Sequence, residues 1–460
     1  MIDGTLLPGS AKVWCCQFGI MPRITWQLSV YDIAVSRVER LQQCMSVFYR
    51  KWLGVPRMLT DVALYCKSSK LRLPMASVVE EYKVGKVRLA MMLRQSKDEA
   101  IARSEPAIET GRRWRAEEAT DKAVADAKWR EVQGAVQRGR SGLGSSKMKW
   151  FSKVGSKGKR ELVIDCVRGE EDNARMCKAA QQGVQGAWMS WEEVDQRVVS
   201  WETLLRKSAG SIKFLISSTY DTCPTPVNLK RWNLAQGDVC CSCKRERGSL
   251  EHTLSACSSL LQAYTWRHNQ VLAVLKEAVE EAISEKKGGS ECGTTKLVKF
   301  VREGERVTRQ QRAMAAWRDG LTDGEWEMKI DEGSATVPPD VVVTSLRPDM
   351  VLVNRRMKSL VLMELTVPWE TRMQAAHERK LLRYAELKDE CEDRGWRTEV
   401  FAVEVGCRGF TGWSLRQWLK RVGVSGRKMA AVVRRCRDAA EVGSAWIVGK
   451  LMSGGGGTVD

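Results

Sequence analysis

The chain has 460 residues, enough for about two to four domains with real cores, and 75 Lys and Arg against 56 Asp and Glu give a formal net charge of +19. That excess favours a polyanionic partner, nucleic acid first. A membrane span is not expected, because no apolar stretch approaches the roughly 18 residues that one needs, and Met1-Ile2-Asp3-Gly4-Thr5 has neither the basic nor the apolar region of a signal peptide.

Residues 24 to 95 carry helical periodicity: Val38, Leu41, Met45, Phe48, Tyr49 and Trp52 recur on one face, and Gly54-Val55-Pro56 ends the element. Residues 96 to 140 are charged and helix-favouring, with Trp114 and Trp129, and stop at Gly139, Gly142 and Gly144. From Ser145 to Arg160 the pattern reads as a loop, with Lys147, Lys149, Lys153, Lys157, Lys159 and Arg160 around Trp150 and Phe151. Cations interleaved with aromatics suit a nucleic-acid backbone with occasional base stacking, and a solvated linker fits equally well. Helical patterning returns over 170 to 215, where Trp188, Trp191 and Trp201 read as core.

After Pro224 and Pro226 the composition turns to cysteine. The whole chain has fifteen cysteines, an odd count, and several, such as Cys44 and Cys66, sit singly inside apolar patterns. A reducing compartment with one metal site fits this better than a disulfide framework. The candidate site is Cys240, Cys243, His252 and Cys257, spaced Cys-x2-Cys-x8-His-x4-Cys. Two cysteines two residues apart reach one ion through a tight turn, and a His and a Cys from a short helix close a tetrahedron, so Zn²⁺ is the expected ion, and a structural or nucleic-acid-binding role is expected of the knuckle. With only three histidines in the chain, one falling at ligand spacing is an unattractive coincidence. Cys241 is assigned no role.

A helix with Val271, Leu272, Leu275, Val279, Ala282 and Ile283 on its apolar face follows, then a loop from Lys286 to Ser290 and a further helix over roughly 296 to 320. Strands are expected near 341–344, 350–353, 359–366 and 398–405, with a long helix between the last two. The runs Met350-Val351-Leu352-Val353 and Ser359 to Met363 flank the polar turn Asn354 to Lys358, which predicts a hairpin buried on both faces. Antiparallel pairing then brings Asp349, at the start of one strand, beside Glu364, at the end of the other. Two close carboxylates repel unless a hard cation bridges them, and Mg²⁺ held by such a pair with a substrate phosphate is the usual solution. Lys380, with Tyr384 one turn later on the same helix face, is the candidate for orienting water and offsetting phosphate charge. Arg383 is the alternative to Lys380. Arg347 is a candidate phosphate contact.

The segments Arg347-Pro348-Asp349-Met350-Val351-Leu352, Glu364-Leu365-Thr366-Val367-Pro368-Trp369-Glu370, Glu378-Arg379-Lys380 to Tyr384, and Val403 to Phe410 resemble the C-terminal endonuclease of site-specific non-LTR retrotransposon polyproteins. That enzyme is restriction-like, of the Pro-Asp…Glu-x-Lys superfamily with its lysine relocated; here Thr366 stands at the lysine's usual place. Cys240, Cys243, His252 and Cys257, trailed by Tyr264 to Asn269, are similar to the family's Cys-Cys-His-Cys knuckle and its junction. Phe18 to Arg23, Arg50 to Pro56 and Thr110 to Trp114 resemble the thumb and linker that follow the reverse-transcriptase palm.

The resemblance implies an α+β chain: a thumb-like helical remnant over 1–95, a basic helical linker over 96–235, a zinc knuckle over 236–262, a restriction-like α/β domain over 263–450 with a mixed sheet flanked by helices, and a flexible tail over 451–460. It implies a Mg²⁺-dependent endonuclease that nicks a DNA target in the nucleus to prime copying of the element's RNA. The chain has no adjacent pair of aspartates, so no polymerase activity is expected of it. The rival expectation is a non-catalytic nucleic-acid-binding remnant built on the knuckle and the basic surfaces.

Overall fold

A computed structural model describes residues 2–104, 106–141, 151–287, 321, 325–331 and 337–452. The fold mixes helix and sheet, and the chain divides into two compact units, Met1–Met189 with Gln196–Thr222 and Ser190–Asp195 with Cys223–Asp460. Among the described residues no helix is long and apolar enough to cross a membrane.

The first unit is helical: α1 (Gly9–Cys15), α2 (Met21–Val30), α3 (Val35–Leu53), α4 (Asp61–Tyr65), α5 (Val78–Arg94), α6 (Glu99–Ser104), α7 (Ala116–Ser141), α8 (Ser156–Ala180), α9 (Trp201–Arg206) and α10 (Ala209–Thr219), with a two-residue parallel pair, β1 (Leu71–Arg72) and β2 (Arg197–Val198). The expected stop after Trp52 is present, Gly54 adopting φ 68° and donating its N–H to Arg50 and Lys51 carbonyls, a left-handed cap that a side chain would strain. Val84, Val87 and Met91 of α5 pack on Ala123 and Ala127 of α7 and on Val163, Ile164 and Val167 of α8, the alanines letting the helices approach. Trp188 is buried, as expected, whereas Trp201 is only half-buried, against the exposed Phe18.

Three expectations fail here: helix is not continuous over 24–95, where β1 intervenes, nor over 170–215, where residues 181–200 hold no α-helix but a 3-10 segment (Ala187–Ser190) and β2, and the basic loop is cut short. Residues 156 to 160 are not loop but the first turn of α8, so Lys157, Lys159 and Arg160 are helical. Nothing apolar marks that turn, since buried positions begin only at Val163, and a periodicity argument could not have found it. Lys147 and Lys149 lie outside the described residues, as do the helix expected over 296–320 and residues 453–460 of the expected tail.

The second unit adds α11 (Pro226–Arg231), α12 (Leu261–Lys287), β3 (Glu327–Ile330), β4 (Met350–Asn354), β5 (Ser359–Thr366), α13 (Met373–Arg383), α14 (Ala385–Asp393), β6 (Arg397–Glu404), α15 (Trp413–Arg421) and α16 (Gly426–Met452). Its sheet has the order β3-β4-β5-β6, antiparallel except for β5 with β6. A parallel pair requires a crossover, and α13 and α14 supply it. Every residue of β4 is buried, and seven of the eight in β5. Alternation explains why: Met350, Leu352, Val361, Met363 and Leu365 face a cluster with α12, α15 and α16, while Val351, Val353, Leu360 and Leu362 face Tyr384, Leu387 and Cys391. The sheet is therefore covered by helices on both faces.

The hairpin turn is Arg355 to Lys358, with Asn354 still in β4 and its side chain accepting from the Met357 N–H at 3.0 Å. Residues 341–344 are not a strand. Val341 and Val342 both donate backbone N–H to the Pro338 carbonyl, at 3.0 and 3.3 Å, so a proline turn takes the donors that a ladder would need. The edge strand β3 escapes sequence reading because Glu327-Met328-Lys329-Ile330 is short and half-polar. The long helix expected between the last two strands is broken at Tyr384, which leaves helical geometry at φ −102°, ψ 5°.

Candidate active site and metal centre

In the β4–β5 ladder Met350 stands opposite Met363, so Asp349 and Glu364, one step further out, flank the same end of the hairpin. Both line one cleft of about 670 Å³, together with Lys380, Arg372 and Arg379 of the crossover and Tyr264, Arg267 and His268 of α12. The carboxylates are held differently. Glu364 is buried; its Oε1 takes the Lys380 ammonium at 2.5 Å and its Oε2 the Tyr384 hydroxyl at 2.7 Å. Lys380 and Tyr384 are four apart on α13 and its cap, which is why one helix face supplies both. Burial first, and the Glu364 carboxylate second, push the Tyr384 phenol upward, so it serves as a donor. Asp349 Oδ2 accepts the Leu365 N–H at 2.7 Å and stands 3.4 Å from His268 Nε2. For His268, burial works against the imidazolium, but the Asp349 carboxylate, with Asn269 and the Leu365 carbonyl, overcomes it and raises the pKa.

Other sequence candidates fall elsewhere. Arg383 is exposed, stacks on the Tyr384 ring and does not line the cleft, whereas Lys380 does. Arg347 is also outside the cleft lining and lies 3.6 Å from Asp331. Lys153, Lys157, Lys159 and Arg160 belong to the first unit, Lys153 and Lys157 exposed and Lys159 over the Phe151 ring. Thr366 lines the cleft with an Oγ1 that is buried and has no hydrogen-bond partner among the described residues.

Cys240, Cys243, His252 and Cys257 converge, all four ligand atoms lying within 4.8 Å of one another, and could hold a metal ion such as Zn²⁺. Cys240 and Cys257 Sγ are 3.9 Å apart, close to the about 3.8 Å that two sulfurs on a tetrahedral zinc would show. Cys243 Sγ is 3.3 Å from His252 Nε2, and His252 Nδ1 faces Glu246 at 3.5 Å, the usual outer carboxylate of a ligating histidine. The Cys240 N–H donates to the Glu246 carbonyl at 2.7 Å and closes the turn. Backbone N–H groups of Arg245 and Glu246 pull the Cys243 thiol down to about 6, favouring the thiolate that a metal requires. Cys241 is exposed and outside the cluster. Among the described residues this is the only such group of three or more ligands, and Asp349 and Glu364 form no second one.

Sequence reasoning gave no role to two features that build the site. Tyr264, Arg267 and His268 share one face of α12, at i, i+3 and i+4, a spacing readable from sequence once the helix is placed. The Tyr264 hydroxyl donates to the Thr253 carbonyl at 2.8 Å and accepts the Cys257 N–H at 3.1 Å, so it holds the knuckle's π-helical turn (His252–Ala256). The buried Arg267 donates to the carbonyls of Leu254 (2.9 Å) and Val367 (3.3 Å) and to Ser444 Oγ (2.8 Å), tying that turn to the end of β5 and to α16.

The second is a buried ion pair behind the cleft wall. Glu370 Oε2 accepts Arg408 Nε at 2.5 Å and Oε1 accepts the Arg408 N–H at 2.8 Å, with the guanidinium between the rings of Trp369 and Trp191, 3.6 and 4.0 Å from their centroids. Gly406 makes room, since a Cβ there would stand 2.5 Å from Glu370 Oε1. Both members are 2% exposed or less, so Glu370→Gln removes one charge of a buried pair and should cost about 3–5 kcal/mol in chemical denaturation. A loss below about 1 kcal/mol, the scale of an exposed pair, would show that the charge contributes little. Comparison with protein-family models and with curated proteins finds no match to this chain.

Proposed function

We propose that the second unit is a Mg²⁺-dependent DNA endonuclease module of the restriction-like kind found in site-specific non-LTR retrotransposon polyproteins, stapled by a structural zinc knuckle. The observation that carries this reading is the meeting, in one cleft, of Asp349 and Glu364 from adjacent antiparallel strands with Lys380 from the crossover helix. Hard oxygen donors beside a lysine suit Mg²⁺ and a phosphodiester. Asp349 and Glu364 would hold the ion, with Lys380 yielding Glu364 Oε1 to it. Mg²⁺ when bound supplies Lewis acidity toward phosphate oxygens. Lys380 orients water and offsets phosphate charge, Tyr384 fixes Glu364, and Arg372 and Arg379 on the cleft wall attract the DNA backbone. Nuclear residence and pairing with the element's RNA follow from this reading and are part of the proposal.

A second reading, nucleic-acid binding without cleavage, is favoured by the full engagement of both Glu364 oxygens by Lys380 and Tyr384. Supercoiled plasmid distinguishes the two. The first reading expects conversion to nicked circles that Mg²⁺ stimulates and chelation stops. Binding that weakens steeply with salt, and no Mg²⁺-stimulated nicking, would leave the second.

A further inference from the structure

His268 enters the cleft from α12, not from the sheet or the crossover that carry Asp349, Glu364 and Lys380. Two acceptors surround its Nε2: the Leu365 carbonyl at 3.2 Å and Asp349 Oδ2 at 3.4 Å. Nothing but a protonated Nε2 satisfies both, so this nitrogen donates. The far side of the ring is fixed as well, Nδ1 lying 3.1 Å from Asn269 Oδ1. The Leu365 N–H meanwhile donates to the same Asp349 Oδ2 at 2.7 Å. Asp349 Oδ2 thus accepts the Leu365 N–H and lies in ion-pair contact with the imidazole, while no hydrogen bond to its neighbour Oδ1 is present among the described residues, which leaves that oxygen for a ligand in the cleft.

We infer that His268 is a positioning residue for Asp349. It pins Oδ2 against the end of β5 and so presents Oδ1 to the divalent cation. The inference rests on the endonuclease reading for its consequence in cleavage, but the geometry concerns cation binding alone. Carboxylates that ligate metals are commonly held by such outer hydrogen bonds, and loss of one typically costs about tenfold to a hundredfold in metal affinity or activity. The placement also gives the knuckle a route to the cleft. Tyr264 and Arg267, one helical turn and one residue before His268, are the side chains that grip the knuckle's π-helical turn, so the imidazole's position is set by the same short stretch of α12.

The test uses the full chain, wild type with Asp349→Ala, His268→Ala and His268→Gln, whose amide N–H reaches the acceptors that Nε2 serves. Mn²⁺ binding is titrated on the protein without DNA, the Asp349-dependent fraction being the one scored, and nicking of supercoiled plasmid is measured beside it. Zinc content and unfolding temperature establish that each variant is folded. His268→Ala should weaken Asp349-dependent Mn²⁺ binding and slow nicking by about tenfold to a hundredfold, and His268→Gln should restore both to within about threefold of wild type. Unchanged Mn²⁺ affinity in His268→Ala overturns the inference, and so does an equal loss in the Ala and Gln variants. A wild-type chain that binds Mn²⁺ through Asp349 yet never nicks DNA removes the endonuclease reading instead, and the Mn²⁺ titration then decides the role of His268 alone.

Discussion

Asp349→Ala should abolish nicking of supercoiled plasmid while leaving retention of DNA largely intact. The carboxylate is one of two that would hold the cation, and Lewis-acid stabilisation worth about 4 kcal/mol corresponds to about a thousandfold in rate, enough to bring nicking to background. Retention should survive because the cations on the cleft wall, Arg372, Arg379 and Lys380, are untouched and the chain keeps its excess of Lys and Arg. Alanine has a structural cost too, since the Leu365 N–H loses the acceptor it has at 2.7 Å, worth about 1–3 kcal/mol if it stays buried. Asp349→Asn is therefore the necessary companion: its side-chain oxygen still accepts from Leu365, but its charge is gone. Both variants should be inactive, and the Asn variant should unfold close to wild type. Nicking that persists in either would remove Asp349 from the chemistry and with it the proposed site.

The pairing of Asp349 with Glu364 was legible because two fully apolar runs with a polar turn between them admit one antiparallel register, and register fixes which residues share an end of the hairpin. Lys380 and Tyr384 were legible for the same sort of reason, a helical spacing of four. The four knuckle residues are fixed by local chain geometry, so their spacing sufficed. His268 and Arg267 were not legible: what they do depends on how α12 lies along the sheet, and a contact from residue 268 to residue 349 leaves no trace in periodicity. The ion pair of Glu370 with Arg408 is hidden likewise, since charged residues in a sequence read as surface unless a partner is known. Where the reading failed outright, local backbone bonding won over pattern. Pro338 captured the N–H groups of Val341 and Val342, and a polar first turn concealed the start of α8.

Removal of zinc should act well beyond the knuckle. The segment around Cys240 to Cys257 is polar and short, and four converging ligands, not a core of its own, would close it. Its π-helical turn is bound to the rest of the unit through Tyr264 and Arg267, and Arg267 is also the link between that turn, the end of β5 and α16. Loosening the turn takes the Leu254 carbonyl from a buried guanidinium that has few alternatives, and the loss passes to the cleft because Arg267 and His268 are adjacent. If the knuckle's local contribution is about 4 kcal/mol, a unit of this size should unfold roughly 8–16 °C lower after chelation. The purified chain should carry one zinc. Cys243→Ser should abolish that stoichiometry and reproduce the lower unfolding temperature, since this thiol is the one that the backbone N–H groups of Arg245 and Glu246 hold ready as thiolate. Cys241→Ser, at the exposed neighbour outside the cluster, should change neither. Equal zinc content in the Cys243 and Cys241 variants would mean that the four residues converge for packing alone, and the coupling from knuckle to cleft would then need no metal.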